Sequence, residues 1–420
     1  GDGKPADYRD SATVYQFRRD LAGFYTCGRG SAPQHFPTDN KVTAMPDLRF
    51  IVAGGGTGGH IYPALAIAQG LMKSFPGCRV IYVGTGRGLE ADIVPKAGLS
   101  FKTISVAGFK RRLTARNLWA ATLALWGLGE ALRLVRSFKP RVVIGTGGYV
   151  SGPVLLAASL CGVPILIHEQ NAFPGLTNRL LARVADRVAL TFPEAARHLP
   201  RGAKVRVTGL PVREEILNVN REEARSKLGK DAQTVLLSFG GSRGAERLNQ
   251  AMVDVVKAFC GRPEVRLYHA TGTTGYEGFL RLLKSDSIDL TGQGNVTIAP
   301  YFYQIADYLA VADLVICRAG ASTIAELTYL GRPAILIPYP HAAANHQEFN
   351  AAALAGKGAA VMIRDAELTG KRLLKEINML LAAPERLQLM AENSARLGKP
   401  DALEEIVSCV KELMSSSAGR

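Results

Sequence analysis

The stretch Gly54-Gly55-Gly56-Thr57-Gly58-Gly59-His60 follows a run of apolar, β-branched residues. Glycines let backbone N–H groups turn toward a phosphate, and a helix starting there adds positive potential. Gly54, Gly56 and Gly59 also satisfy the GxGxxG spacing of dinucleotide-binding loops. That fingerprint expects an acid at the tip of the second strand, about 20 residues on, to hold a ribose. Here the second strand ends RVIYVGTGRG with no acid at its tip, which counts against a nicotinamide dehydrogenase. His60 reads equally as a capping or packing residue and as a base. A helix N-terminus disfavours imidazolium, which suits His60 to take a proton from a sugar hydroxyl.

The chain repeats this logic in its second half with Gly240-Gly241-Ser242-Arg243-Gly244-Ala245. One such loop could be a tight turn; two facing one cleft would hold two phosphate-bearing substrates. In RAGASTIAE, Thr323 and Glu326 have the spacing of a capping box, and spacing alone favours that over a carboxylate holding ribose hydroxyls. The segment HAAANHQEFN follows an apolar strand, where loops of parallel sheets bind ligands, and its Asn345 and Gln347 suit sugar hydroxyls. Metal binding by His341 and His346 is rejected, because their spacing is not helical i,i+4 and no third ligand is evident. His168-Glu169-Gln170-Asn171 sets four polar side chains at a strand end, and GGYVSGP one strand earlier offers another backbone cradle.

The elements that must position these residues form a regular series. From Leu48, short apolar strands (LRFIVA, RVIYVG, PRVVIGTGG, VPILIHE) alternate with helical segments, the first helix reading from Tyr62. The rhythm restarts after Arg213 with TVLLSFGG, VRLYHATG, NVTIAPY, ADLVICRAG and RPAILIPYP. Buried-type strands alternating with helices indicate an α/β chain of two doubly wound, Rossmann-like domains, a hinge near residues 208–214 and a cleft between them. A last helical stretch, roughly Leu389 to Met414, could pack on either domain. The first 40 or so residues are polar and aperiodic and read as a disordered extension.

At 420 residues and 47% hydrophobic, the chain has material for two cores. Its six scattered cysteines form no CxxC pair and read as reduced thiols of a cytosolic protein. A net charge of +15 favours polyanions, yet no nucleic-acid motif accompanies it. Lys110, Arg111, Arg112 and Arg116 precede LWAATLALWGLG, which holds both tryptophans, Trp119 and Trp126. That segment is too short to span a bilayer. It reads equally as a core helix and as one lying at an anionic membrane surface.

Taken in order, GGGTGGH, GTGRGLEAD, GGYVSGP, HEQNAFPGLTN, GGSRGA, CRAGASTIAE and HQEFN resemble the MurG family, the UDP-N-acetylglucosamine transferases that complete lipid II. Single motifs recur in related two-domain transferases; the ordered set is specific and runs from about Leu48 to the C-terminal helix. The resemblance implies a GT-B fold whose C-terminal helix returns to the first domain. It implies a 1–44 extension, an acceptor-binding, membrane-associating domain at 45–210, a UDP-GlcNAc-binding domain at 211–396, and a C-terminal helix and tail at 397–420. The implied reaction moves GlcNAc with inversion to the 4-hydroxyl of MurNAc in undecaprenyl-diphosphate-MurNAc-pentapeptide, with no cofactor or metal. Carried over by position, His60, Glu169 and Asn171 are catalytic, with His60 the candidate base. Thr57, Gly58, Gly59, Asn171, Arg213, Ser242, Phe302, Glu326 and Gln347 bind the donor, and Gly56, Thr57, His60, Gly148 and Tyr149 the acceptor. Implied too are a peripheral place on the cytoplasmic face of the bacterial inner membrane, contact with its anionic lipid and with other cell-wall synthesis proteins, and a part in cell shape and division. The chain departs from the family's G-N-P-V-R hinge with Leu210 and from its GGSQGA loop with Arg243. A galactolipid synthase, a UDP-GlcNAc epimerase and a non-catalytic nucleotide-sugar- or lipid-binding module are the rival readings.

Overall fold

A computed structural model of the chain describes residues 47–106, 115–228, 234–241, 244–290 and 294–417. Seven parallel strands form the first sheet: β1 (Arg49–Gly54), β2 (Arg79–Gly84), β3 (Ser100–Thr103), β4 (Val142–Gly147), β5 (Ile165–Glu169), β6 (Arg187–Leu190) and β7 (Val205–Val207). Their order is β3-β2-β1-β4-β5-β6-β7, so the winding reverses between β1 and β4. The second sheet has six: β8 (Thr234–Phe239), β9 (Val265–Ala270), β10 (Val296–Ala299), β11 (Leu314–Cys317), β12 (Ala334–Leu336) and β13 (Ala360–Met362). Its order, β10-β9-β8-β11-β12-β13, reverses between β8 and β11. Strands such as β4 and β5 are buried at every residue, as their unbroken apolar sequences require of a sheet covered on both faces.

The first helix, α1, runs Gly58–Ser74, so it begins at the glycines and not at Tyr62 as the apolar pattern suggests. Thr57 is the extended residue that precedes it, and His60 lies in its first turn. It is followed by α2 (Glu90–Lys96), α3 (Ala115–Phe138), α4 (Ser151–Leu160) and α5 (Leu176–Leu181). Then come α6 (Glu214–Asn218), α7 (Arg221–Leu228), α8 (Glu246–Phe259), α9 (Tyr276–Ser285), α10 (Ile305–Val311), α11 (Ala321–Tyr329), α12 (His346–Ala355) and α13 (Gly370–Leu381).

The stretch read as one terminal helix is two, α14 (Pro384–Leu397) and α15 (Ala402–Ser417), split at Gly398-Lys399-Pro400-Asp401. Pro400 cannot continue a helix, and a side chain on Gly398 would sit 2.7 Å from the Thr328 carbonyl. α14 stays with the second domain, where Met390 joins its core. α15 crosses back to the first domain, and Ile406, Val407, Val410 and Leu413 share a core with Ile61, Leu65 and Leu71 of α1. The two helices touch at Gly70, where an added Cβ would lie 2.6 Å from Leu403 Cδ1.

Ile406→Ala is expected to destabilise the protein by about 2–5 kcal/mol, read as a lowered urea midpoint. An unchanged midpoint would place α15 outside the core. The fully buried rings of His168 and His269 supply a pH test: burial pushes His168 down to about 4, against its hydrogen bond to the Gly209 carbonyl, and His269 down to about 3. Below 6.5 the unfolded chain therefore takes up protons that the native chain refuses, so stability rises with pH across the window from about 4 to 6.5. Each ring contributes up to roughly 1.4 kcal/mol per pH unit there. His269→Gln should flatten the dependence of the urea midpoint on pH in that window, and an unchanged slope would contradict a neutral buried ring.

Candidate active site in the interdomain cleft

In both sheets the glycine loops fall at the carboxyl ends of the two strands flanking the reversal, where parallel sheets open a crevice for ligands. In the first domain these are the β1–α1 loop and the turn after β4. They meet backbone to backbone. A Cβ on Gly148 (φ +80°) would sit 2.2 Å from the Gly55 carbonyl oxygen, and one on Gly54 would sit 2.1 Å from Thr146 Oγ1. Tyr149 lies alongside, its ring 3.1 Å from where a Gly56 Cβ would be. Gly56, Thr57, Gly58, Gly59, His60, Gly148 and Tyr149 are thereby brought to one floor.

His60 is gripped twice by one residue: Thr146 Oγ1 donates to its carbonyl at 2.8 Å, and its ring Nδ1 meets the Thr146 carbonyl at 2.9 Å. The same Nδ1 lies 3.0 Å from Gln170 Oε1. Both partners are acceptors, so Nδ1 carries the proton and Nε2 keeps its lone pair. A Cβ on Gly147 would sit 2.9 Å from the ring, which leaves only glycine at that position.

The loop's underside is held by a residue that sequence reasoning left unassigned. Glu90 in α2 is fully buried; its carboxylate accepts from the Thr85 N–H (3.1 Å), the Thr85 hydroxyl (2.7 Å) and the Gly56 N–H (3.2 Å). Burial opposes ionisation, but these donors outweigh it and the carboxyl titrates below its ordinary value. The signal was in GTGRGLEAD: an acid does approach the glycine loop, reaching back from the next helix rather than standing at the strand tip.

Glu169, at the end of β5, is also fully buried and has both oxygens occupied. It accepts from the Asn171 N–H (2.9 Å), the Gly175 N–H (3.0 Å) and Asn178 Nδ2 (2.8 Å). It thus shapes the turn that presents Asn171. Asn171 Oδ1 in turn accepts from Asn350 Nδ2 of α12 at 3.1 Å. Asn350 is a second residue missed by sequence reasoning, although it closes the HQEFN motif. Buried and belonging to the second domain, it also accepts the Ala172 N–H at 2.8 Å, and Phe349 stacks on Phe173 with centroids 4.7 Å apart.

In the second domain, Gly240 and Gly241 follow β8, and the Gly244 N–H closes the turn on the Gly241 carbonyl at 2.8 Å. Ser242 and Arg243 lie outside the described residues, as do the 1–44 extension, Lys110, Arg111, Arg112 and the side chains of Arg116 and Trp119. The capping-box reading of Glu326 is overturned. α11 starts after Gly320, no side chain caps it, and Glu326 lies a turn too deep. Glu326 Oε1 instead accepts from Arg213 Nε at 2.7 Å, across 113 residues of sequence. The hinge arginine and the α11 carboxylate are therefore one unit. Burial depresses the Arg213 guanidinium, but the hydrogen bond to Glu326 outweighs it and the net shift is upward.

Gln347 opens α12 behind Ala344 and Asn345, both left-handed at φ 53° and 56°. Its Oε1 accepts the Tyr339 N–H at 2.9 Å, turning its NH2 group outward. Phe302, beyond β10, is buried and stacks on Tyr308 at 4.2 Å, which anchors the loop it sits in. Among the described residues no group of three His, Cys, Asp or Glu side chains could hold a metal, and no helix is long and apolar enough to cross a membrane. On α3, Leu125 and Trp126 are 70% and 63% exposed.

Residues 50–190 match the glycosyltransferase family 28 N-terminal domain, and residues 235–406 match its C-terminal domain. A Desulforudis audaxviator protein is 58% identical over 87% of this chain and 98% of its own length. Its name is UDP-N-acetylglucosamine–N-acetylmuramyl-(pentapeptide) pyrophosphoryl-undecaprenol N-acetylglucosamine transferase. The crystal structure of Acinetobacter baumannii MurG superposes with a TM-score of 0.72 at 31% identity, covering 87% of this chain and 99% of that one. A putative UDP-N-acetylglucosamine 2-epimerase from Listeria monocytogenes superposes at 0.62 but is 14% identical over 88% of this chain and 97% of its own, a likeness of fold alone. The two doubly wound domains with their glycine loops on one cleft are thus a GT-B enzyme, and the chain belongs to glycosyltransferase family 28.

Proposed function

We propose that the chain moves N-acetylglucosamine from UDP-GlcNAc to the 4-hydroxyl of MurNAc in undecaprenyl-diphosphate-MurNAc-pentapeptide, a step of peptidoglycan synthesis. The observation that carries the chemistry is the cleft-side His60, whose Nδ1 is committed to two acceptors and whose Nε2 is bare. Nε2 takes the proton of the acceptor hydroxyl as its oxygen attacks the anomeric carbon. The new C–O bond forms as the bond to UDP breaks, with inversion, and UDP leaves as the anion. Glu90 and Glu169 act through the loops they hold, not on the substrate.

On the donor side, Arg213 offers its Nη groups to the diphosphate while Nε stays on Glu326, and Glu326 offers its other oxygen to the ribose. The outward NH2 of Gln347 reaches the GlcNAc hydroxyls, and Ser242 and the Phe302 backbone complete the nucleotide site. Thr57, Gly58 and Gly59, at the N-terminus of α1, face the donor's sugar with Asn171, while Gly56, Gly148 and Tyr149 receive the acceptor. No cofactor takes part. The net charge of +15 and exposed Leu125 and Trp126 support peripheral binding to anionic lipid on the cytoplasmic face of the inner membrane.

Radiolabel transfer from UDP-GlcNAc to a short-chain lipid I analogue, with UDP-glucose and UDP-galactose as controls, tests the reaction. Transfer from UDP-GlcNAc alone is expected; clear UDP binding without transfer would contradict it. In the same assay His60→Ala should lower kcat about a hundredfold or more. Glu326→Ala should raise the KM for UDP-GlcNAc at least tenfold, and an unchanged KM would remove the ribose role. Glu90→Gln, which sets an NH2 group against N–H donors, should destabilise the fold by about 1–3 kcal/mol in urea.

A further inference from the structure

Behind His60 lies a chain of polar side chains that the reaction itself does not touch. Gln170, 1% exposed, donates its Nε2 to the His168 carbonyl at 2.9 Å and to His168 Nδ1 at 3.0 Å. That bond to a carbonyl fixes which end of the amide is nitrogen, so Oε1 is the atom that faces His60 Nδ1. His168, wholly buried, donates Nε2–H to the Gly209 carbonyl at 3.0 Å. A neutral ring protonated at Nε2 has a bare Nδ1, and that is what the Gln170 amide requires. Every group from Gly209 to His60 thus has one allowed direction.

The far end of the chain sits where the domains join. Gly209 is left-handed (φ +86°), and a Cβ there would lie 2.4 Å from Lys399 Cβ. The outgoing strand of chain after β7 and the returning segment before α15 therefore meet at the residue whose carbonyl anchors His168.

We infer that Gln170 is a positioning residue for transfer, fixing His60 in the Nδ1–H tautomer through a one-way relay anchored at the hinge carbonyl of Gly209. The inference rests on His60 being the base. A ring with the proton on Nε2 would present a donor to the acceptor hydroxyl and could not accept its proton. Thr146 alone does not remove that state, because a ring turned away from its carbonyl loses only one bond; the buried Gln170 oxygen, with no other partner to turn to, makes the loss costly. His346 and Glu169 are the titratable groups that also face this part of the cleft.

The test uses the full-length enzyme with 15N-labelled imidazoles, the His60 signals being assigned by their loss in His60→Gln. The wild type should show Nδ1 protonated and Nε2 bare at neutral pH. Gln170→Met should mix the tautomers and lower kcat at least tenfold, with the KM for UDP-GlcNAc changed less than about twofold. Gln170→Glu keeps an acceptor for His60 but adds a charge that favours imidazolium, so the acid limb of its kcat profile should move to higher pH. That shift shows that position 170 faces the catalytic ring in the working enzyme, an unmoved limb would contradict it, and either is readable if the methionine variant folds poorly. An Nε2–H tautomer in the wild type, or a methionine variant with wild-type tautomer and kcat beside an inactive His60→Ala, overturns the relay alone. A fully active His60→Ala overturns the base and the relay together.

Discussion

The loops after β1 and β4 press together so closely that no side chain fits between them. Separations of 2.1–2.2 Å from a would-be Cβ at Gly54 and Gly148 are contacts that real side chains do not make. The backbone itself forms the floor, and His60 in the first turn of α1 is carried into position by the same geometry. The second domain uses the device again. A Cβ on Gly244 would lie 2.1 Å from the Thr271 carbonyl, so the turn after β8 lies directly on the end of β9. Each half of the molecule thus offers a backbone-lined ledge at its own winding reversal.

The two ledges matter only if they face one another, and a few buried polar contacts across the hinge arrange that. Asn350 of the second domain satisfies both the Asn171 side chain and the Ala172 backbone of the first. Within the second domain, Arg213, just past the hinge, is tied to Glu326. These directional contacts can break and reform as the domains move, as a transferase must to admit one substrate and release another. Apolar contacts cross the hinge too: Ala172 and Phe192 of the first domain join the second domain's core, and Phe173 stacks on Phe349.

Much of this was legible in the sequence. Unbroken apolar strands and paired glycine loops identified two wound domains, and the order of motifs identified the family. What escaped has a common cause: the deciding partner is remote or acts in reverse. Glu326 and Thr323 have capping-box spacing, but nothing local reveals that Arg213 stands 113 residues upstream in sequence and beside Glu326 in space. Glu90 was passed over because an acid was sought at the tip of β2, whereas it reaches back from α2. The break at Gly398 was legible, because Gly-Lys-Pro-Asp is a helix-stop signal, but it was passed over in reading one terminal helical stretch. Asn350 was visible in its motif, yet a single buried amide shows no periodicity that would reveal its reach across the cleft.

The proposed transfer is a single displacement in which a bare His60 Nε2 deprotonates the acceptor while the diphosphate departs on the opposite face of the sugar. The anomeric configuration of the new linkage reports this most directly. Proton NMR of the disaccharide made from α-linked UDP-GlcNAc should show the large H1–H2 coupling of a β-linked GlcNAc on O4 of MurNAc. A small coupling, marking an α linkage, would mean retention, by two successive displacements or by attack on the face the diphosphate leaves, and would contradict the role given to His60.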